Sequence, residues 1–357
     1  MGNYVRALSA RLPALLPDAA FEFWISDGGA TLSNAPNVSH HRVRAPAAGL
    51  ATLLWPARLG RLNADDIFHG PANILGFGVP CPSVITVHDV MWLEHLAWCQ
   101  PRPWLRPISY AYYTTGILRA IRNAERILTV SEASADAIAR VEPGARGKIV
   151  VTTNACEPTF AAPTSLPEAR AAAARVLGDE APFFLVVGQN QPSKAHDVAL
   201  RAFASGAPTT HRLVLVQRLE AGRGLDRLAR DLGVSERVSF ISGVPFETLL
   251  LLLQSATALL QPSLAEGFGM PVLEAITCGC PVIASRIPPL LEVLGGAALF
   301  AEPASVTELA AEIRRAAAEP ALLAELRERG LHRARDFSWD RTAEITRDVY
   351  RDVARRG

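Results

Sequence analysis

The chain has 357 residues, a formal net charge of +1, 49% hydrophobic residues and 20% charged residues. That length suits two domains, each burying its own core, and the balanced charge excludes a nucleic-acid partner held by bulk electrostatics. Cys81, Cys99, Cys156, Cys278 and Cys280 form no disulfide framework, and no signal peptide or apolar run of membrane-spanning length is present, which together read as a reducing cytoplasm.

In chain order, Tyr4–Leu16 carries apolar residues at helical spacing (Val5, Leu8, Leu12, Leu15, Leu16). Strands are expected at Phe21–Ile25, Val38–Val43, Asp66–His69, Ser83–Val87, Arg126–Val130 and Lys148–Val151. Helices are expected between them at Gly49–Arg58, Leu105–Asn123 and Ser134–Val141. Asn154 to Pro167 holds three prolines and no periodicity, so it reads as a linker.

A second series follows. Its strands are expected at Phe183–Val187, Arg212–Val216, Arg237–Ile241, Ala258–Gln261, Pro281–Ala284 and Ala298–Phe300. Its helices are expected at Leu166–Leu177, His196–Phe203, Gly224–Leu232, Pro245–Gln254, Met270–Cys278 and Pro288–Leu294. Thr307–Arg335, broken near Pro320, and Trp339–Arg355 close the chain. Strand–helix alternation throughout is the mark of doubly wound α/β domains. The division predicted is an N-terminal domain over 1–160, a C-terminal domain over 161–338 and a last helix over 339–357.

The densest chemistry lies in Gln261–Pro281, QPSLAEGFGMPVLEAITCGCP. A buried strand ends at Pro262, Gly267-Phe268-Gly269 makes a turn, and Met270-Pro271 opens a helix that tolerates proline in its first turn. Exposed amides and a helix N-terminus at a strand's carboxyl edge suit an anion. Glu266 stands at that mouth and Glu274 one turn into the helix, where carboxylates can accept from a polyol. An anion cradle between two hydroxyl-binding acids describes a nucleotide-sugar site. Cys278-Gly-Cys280 has no second ligand cluster and reads as two small residues in a packed turn.

Gly188-Gln189-Asn-Gln-Pro-Ser193-Lys194 follows another apolar strand, and Lys194 is placed for a phosphate. Alone it would read as a solvated loop lysine. Phe68-His69-Gly70-Pro71 and Val87-His88-Asp89 close consecutive strands with polar groups. His88 reads as a site residue, His69 equally as site or structure, and Asp89 either orients His88 or caps the next turn. Val130-Ser131-Glu132 reads as a helix cap. Arg102–Arg126 mixes Trp104, three tyrosines and five arginines. It suits either a partly buried domain helix, the favoured reading, or a surface for membrane or lipid-linked acceptor.

The Gln261–Pro281 run, an acid, seven residues and an acid around Gly-Phe-Gly-x-Pro, closely resembles the signature of the retaining group 1 glycosyltransferases (glycosyltransferase family 4). Gly188–Lys194, the His-Asp pair, Asn154-Ala155-Cys156-Glu157 and Phe337-Ser338-Trp339 resemble further family segments. The resemblance implies a GT-B fold, two Rossmann-like domains facing a cleft, with the last helix crossing back to the N-terminal domain. It implies transfer of a hexose from a nucleotide-diphosphate sugar, with GDP-mannose favoured, to a glycan or lipid-linked acceptor, with retention and without cofactor or metal. His88, Glu266 and Lys194 would then be catalytic. Gly188, Gln189, Lys194, Glu266, Gly267, Phe268, Gly269, Met270, Pro271 and Glu274 would bind donor. Gly2, His69, Asp89 and Asn154 would line the acceptor side.

The expected setting is cytoplasmic with peripheral docking on the inner membrane face. Gln189, Ser193, Ala195 and Ala155 depart from the commoner family residues. The alternatives are another GT-B enzyme, such as a nucleotide-sugar epimerase or a phosphorylase, and a degenerate homologue that binds nucleotide sugar without turnover. Family members begin with a central strand and a glycine loop, whereas Met1-Gly2-Asn-Tyr4 stands in that loop here. The first strand is therefore expected to be missing, with an unpaired strand edge and exposed apolar surface beside it.

Overall fold

The computed structural model describes residues 2–26, 29–43, 53, 62–217 and 224–356. The chain divides into two compact units, one of Met1–Asn154 with Ser338–Gly357, the other of Ala155–Phe337. The sequence placed the boundary near 160, but Phe160 already packs edge-on against Phe246 at 5.1 Å within the second unit. The expected helix at 49–58 lies outside the described residues apart from Leu53.

The first unit runs α1 (Gly2–Leu15), β1 (Phe21–Ser26), β2 (Val38–Val43), β3 (Phe68–Gly70), β4 (Ser83–Thr86), α2 (Met91–Glu94), α3 (Leu96–Cys99), α4 (Arg106–Asn123), β5 (Arg126–Thr129), α5 (Glu132–Val141) and β6 (Ile149–Val151). The short helices α2 and α3 carry too few turns for a periodic signal and were not foreseen. β3 begins two residues later than expected. Asn63 donates its N–H to the Asp66 carboxylate at 2.6 Å, which makes a turn of the residues read as strand.

All pairing is parallel, in a two-stranded sheet β1-β2 and a four-stranded sheet β3-β4-β5-β6. Among the described residues no strand precedes α1, and the sheet is in two parts. The apolar exposure expected there is small. Ile25, Val84 and Ile85 are buried, and the half-buried Trp24 and Phe68 face each other at 6.0 Å. Successive strand residues point to opposite faces. Ile85 and Ile127 pack with Ile117, Ile121 and Ile138 of α4 and α5, while Val84 and Leu128 face the other way.

The second unit runs α6 (Leu166–Leu177), β7 (Phe183–Val187), α7 (His196–Gly206), β8 (Arg212–Gln217), α8 (Leu225–Asp231), β9 (Val238–Ser242), α9 (Phe246–Ser255), β10 (Ala258–Gln261), α10 (Met270–Thr277), β11 (Val282–Ser285), α11 (Pro288–Leu294), β12 (Leu299–Ala301), α12 (Val306–Ala318) and α13 (Pro320–Ala334). Pro320 separates the last two helices, since its ring cannot continue a helix through from the preceding residue. One parallel sheet orders the strands β12-β11-β10-β7-β8-β9. Phe184, Val186, Leu213, Leu215, Leu260 and Ile283 bury one face under Leu200, Phe203 and Ile313. Strand order reverses between β7 and β10, and ligands of such sheets bind beyond the carboxyl ends at that point.

The final helix, α14 (Trp339–Ala354), belongs to the first unit. Ser338 caps it by accepting from the N–H groups of Asp340 and Arg341. Trp339, Thr342, Ala343, Thr346, Val349 and Val353 form its buried face. Val349 and Val353 pack on Val84 and Leu128, and the Thr342 hydroxyl donates to the Thr153 carbonyl at 2.6 Å. No described helix is long and apolar enough to cross a membrane.

Candidate active site

In the second unit, β7 and β10 lie side by side, with Phe184 opposite Ala258 and Leu185 opposite Leu259. The loops that leave them, 188–195 and 262–269, therefore emerge together at the switch point. The Leu264 N–H donates to the Ser193 carbonyl at 2.8 Å and stitches the two loops. Gly188 and Gly269 take φ of +144° and +104°, a region open mainly to glycine. A Cβ on Gly269 would also come within 2.6 Å of Leu290 Cδ2. Ala195 sits at φ +47°, which costs an L-residue roughly 1–2 kcal/mol. That strain explains physically why glycine or asparagine suits this position better.

Lys194 and Glu266 meet directly. Lys194 Nζ donates to Glu266 Oε1 at 2.6 Å, and Gln261 Nε2 and Ser263 Oγ donate to the same oxygen at 2.8 Å each. The Glu266 side chain is 8% exposed and that of Lys194 is 23% exposed. Glu266 Oε2 makes no hydrogen bond among the described residues. Glu274 lies half-buried in the second turn of α10. Met270 and Pro271 form the first turn of that helix, and Gly267 lies in the loop before it. Gln189 is tied within its own loop, accepting from Gln191 Nε2 at 3.0 Å. The Phe268 ring is buried edge-on against Phe337 at 5.7 Å, so only its backbone is left to meet a ligand.

Sequence reasoning missed His196, Gln217, Gln261 and Ser263. Buried His196, the first residue of α7, accepts at Nδ1 from the Gln217 amide at 3.4 Å, and its Nε2 lies 3.9 Å from where a Gly188 Cβ would stand. Burial, with a smaller contribution from Lys194, lowers its pKa to about 4 and keeps the ring neutral at neutral pH. The available signal was a glutamine closing each of two apolar strands, LVLVQ and ALLQ, at the same sheet edge. Cys278 and Cys280 are buried in the turn after α10, and burial pushes the Cys280 thiol up to about 12. Among the described residues no group of three or more His, Cys, Asp or Glu is arranged to hold a metal ion.

In the first unit, His88 is buried at the carboxyl end of β4. Its backbone N–H donates to Asn73 Oδ1 at 2.7 Å, and its Nε2 donates to the Pro71 carbonyl at 3.0 Å. The ring meets Tyr4 edge-on at 5.2 Å. Burial lowers its pKa to about 4, which leaves a neutral ring with its lone pair on Nδ1. His69 has a structural role. Its Nδ1 is bonded to the Tyr350 hydroxyl and its Nε2 to Thr86 Oγ1 at 2.8 Å, so both nitrogens are taken up in holding α14 to the sheet. Asp89 accepts from the Met91 N–H at 3.0 Å and caps the turn into α2. Ser131 caps α5 by accepting from the Ser134 N–H at 3.0 Å. Asn154 is buried after β6, and Gly2 opens α1, where a Cβ in place of its hydrogen would meet nothing within 4 Å.

Two Rossmann-like units, one with paired loops meeting at its switch point, define the GT-B fold class. Residues 169–333 match the family described as glycosyl transferases group 1. The chain is 30% identical over 307 residues to O-antigen chain mannosyltransferase B of Escherichia coli, spanning 84% of this chain and 78% of that one. It is 40% identical over 142 residues to the MMP alpha-(1->4)-mannosyltransferase of Mycolicibacterium hassiacum, covering 39% and 34% of the two chains. Among solved structures it resembles WaaG, a glycosyltransferase involved in lipopolysaccharide biosynthesis. That match has a TM-score of 0.71 and 19% identity over 98% of this chain and 95% of that one. The chain belongs to the group 1 glycosyltransferase family and is a glycosyltransferase.

Proposed function

We propose that the chain transfers mannose from GDP-mannose to a glycan or lipid-linked acceptor with retention at the anomeric carbon. The observation that carries this reading is the cluster at the switch point. One glutamate oxygen is saturated by Lys194, Gln261 and Ser263, while the other makes no hydrogen bond among the described residues. Departure of a nucleoside diphosphate builds negative charge on phosphate as the sugar becomes cation-like. Lys194 and the amides opening α10 would take up that charge in a fixed geometry. Glu266 Oε2 would accept from a sugar hydroxyl and orient the ring, and Glu274 would hold the ribose hydroxyls. Attack then occurs on the face the diphosphate leaves, with the leaving phosphate assisting the acceptor. Lysine and amides stand in for a divalent ion in this reading, so turnover survives EDTA. Support for mannose comes from relatives named as mannosyltransferases, the third being O-antigen chain mannosyltransferase RfbU of Salmonella typhimurium at 28% identity over 61% of this chain.

Calorimetry with GDP, UDP, GDP-mannose and UDP-glucose, followed by NMR of the product, tests the proposal. GDP-mannose should bind and turn over to an α-linked product. A preference for the UDP-linked sugar would overturn the donor assignment, and a β-linked product would overturn retention. Binding without diphosphate release would leave only a nucleotide-sugar binder.

A further inference from the structure

Gly188 follows β7 and stays tied to β8, since its N–H donates to the Val216 carbonyl at 3.0 Å. Its φ of +144° turns the chain out of the sheet. A Cβ built on it would meet one heavy atom within 4 Å among the described residues, His196 Nε2 at 3.9 Å. The space over Gly188 is therefore open except for that nitrogen. His196 itself is only 3% exposed. Its Nδ1 accepts from Gln217 Nε2 at 3.4 Å, so the ring proton sits on Nε2. That N–H has no acceptor among the described residues. Buried polar groups are nearly always paired, and an unpaired donor at the edge of an open space calls for a partner.

The surroundings set the charge of that partner. His196 is the first residue of α7, an 11-residue helix whose N-cap, Ala195, supplies no side-chain hydrogen bond. The imidazole N–H and the first free amides of α7 thus share one positive helix end. Lys194 stands two residues earlier. The acid of the first turn, Asp197, is exposed to water, whereas His196 is buried. An anion suits this place. The other donors of the loop are already engaged, Lys194 Nζ with Glu266 at 2.6 Å and Gln191 Nε2 with Gln189 at 3.0 Å. A departing diphosphate spreads its charge over several oxygens, more than one shared lysine can match.

We propose that His196 is a donor-contacting residue whose Nε2–H, fixed by Gln217, donates to the diphosphate of the nucleotide sugar over Gly188. Gln217 is a positioning residue. Without its amide the ring proton can move to Nδ1, which leaves a lone pair facing the phosphate. This pairing gives a reason for β8 to close on a buried glutamine. Burial holds the free ring neutral, so its N–H is available without a counter-ion. The inference rests on reading the second unit as the donor side.

The test uses the full chain with GDP and UDP as probes in calorimetry. His196→Leu fills the buried volume without a donor and should raise the Kd of whichever diphosphate binds about tenfold. His196→Gln keeps an N–H near the place of Nε2 and should stay within about threefold of wild type. Gln217→Leu should raise that Kd about threefold, because the ring divides between two tautomers. In protein carrying isotope-labelled histidine, the Nε2 resonance of His196 is assigned by its loss in His196→Gln. It should move on adding the diphosphate and stay in place with guanosine or uridine, a response that a merely structural histidine would not give. If neither GDP nor UDP binds the wild type, the donor reading falls and this inference with it. If one binds but His196→Leu binds it equally, His196→Gln is as weak as His196→Leu, or the resonance does not move, this inference alone falls. Should His196→Leu fail to fold, the glutamine variant and the resonance decide.

Discussion

Replacing Glu266 with glutamine removes the charge at the centre of the switch-point cluster and leaves its shape. In the native site Oε1 accepts from Lys194 at 2.6 Å and from Gln261 and Ser263 at 2.8 Å. A glutamine carbonyl in the same place keeps three donors, but as neutral acceptor bonds worth about half as much. Three bonds weakened by roughly 0.7–1 kcal/mol each amount to about 2–3 kcal/mol. Lys194 is 23% exposed, so water offsets part of its loss. A net cost of about 1–2 kcal/mol remains, which in a domain of this size lowers Tm by roughly 2–8 °C. The same change releases Lys194 from its counter-charge, so GDP should bind as tightly as before or more tightly, while diphosphate release falls at least about tenfold. Scanning fluorimetry, calorimetry and a coupled diphosphate assay read the three quantities separately. A Tm within about 1 °C of wild type, together with unchanged turnover, would refute both the cluster and its catalytic role.

Glu274→Ala should raise the donor Kd about tenfold, for the loss of a bond to an ionised acceptor, with calorimetry as the check. Lys194→Met should abolish turnover. Lys148→Met should leave turnover intact and lower Tm slightly, because Lys148 Nζ donates to the carbonyls of Arg122 and Ala124 at 2.8 and 3.1 Å around the end of α4. Acid should destabilise the fold early. His69, His88 and His196 all have pKa values lowered to about 4, chiefly by burial, against 6.5 unfolded. The unfolded chain therefore binds more protons below 6.5, so stability present above that pH is lost as pH falls towards 4, by up to on the order of 3 kcal/mol per histidine. Urea midpoints that stay level from pH 7 to about 4.5 would contradict this. Gly206→Ala should cost roughly 1–3 kcal/mol in thermal or urea melts, because its Cβ would stand 2.3 Å from the Ala310 backbone oxygen and force α7 from α12.

Strand–helix alternation was legible from hydrophobic periodicity, and most boundaries fall within two residues of the expected ones. Lys194 and Glu266 were both readable as polar groups at strand ends, because a buried parallel strand is apolar until it leaves the sheet. Their direct pairing was not. It spans 72 positions and depends on β7 lying beside β10, a neighbour relation that alternation alone does not specify. His69 stood equally as site or structure for the same reason. Its partner Tyr350 is 281 residues away, and nothing local distinguishes a histidine held by a distant hydroxyl from one waiting for a ligand. The break between β1-β2 and β3-β6 is also invisible locally, since each strand keeps its own pattern.

The first unit is assembled from two stretches of chain with the whole of Ala155–Phe337 between them. During synthesis the apolar faces of Val84 and Leu128 are made long before Val349 and Val353, which cover them. At the ribosome's pace of about 5–20 residues per second, that interval is roughly ten to forty seconds. The second unit is contiguous and can close as soon as it emerges, whereas the first must wait for the end of the chain. The order of completion thus runs opposite to the order of translation. The growing chain meanwhile presents an open β-sheet face, the kind of surface that holdase chaperones grip.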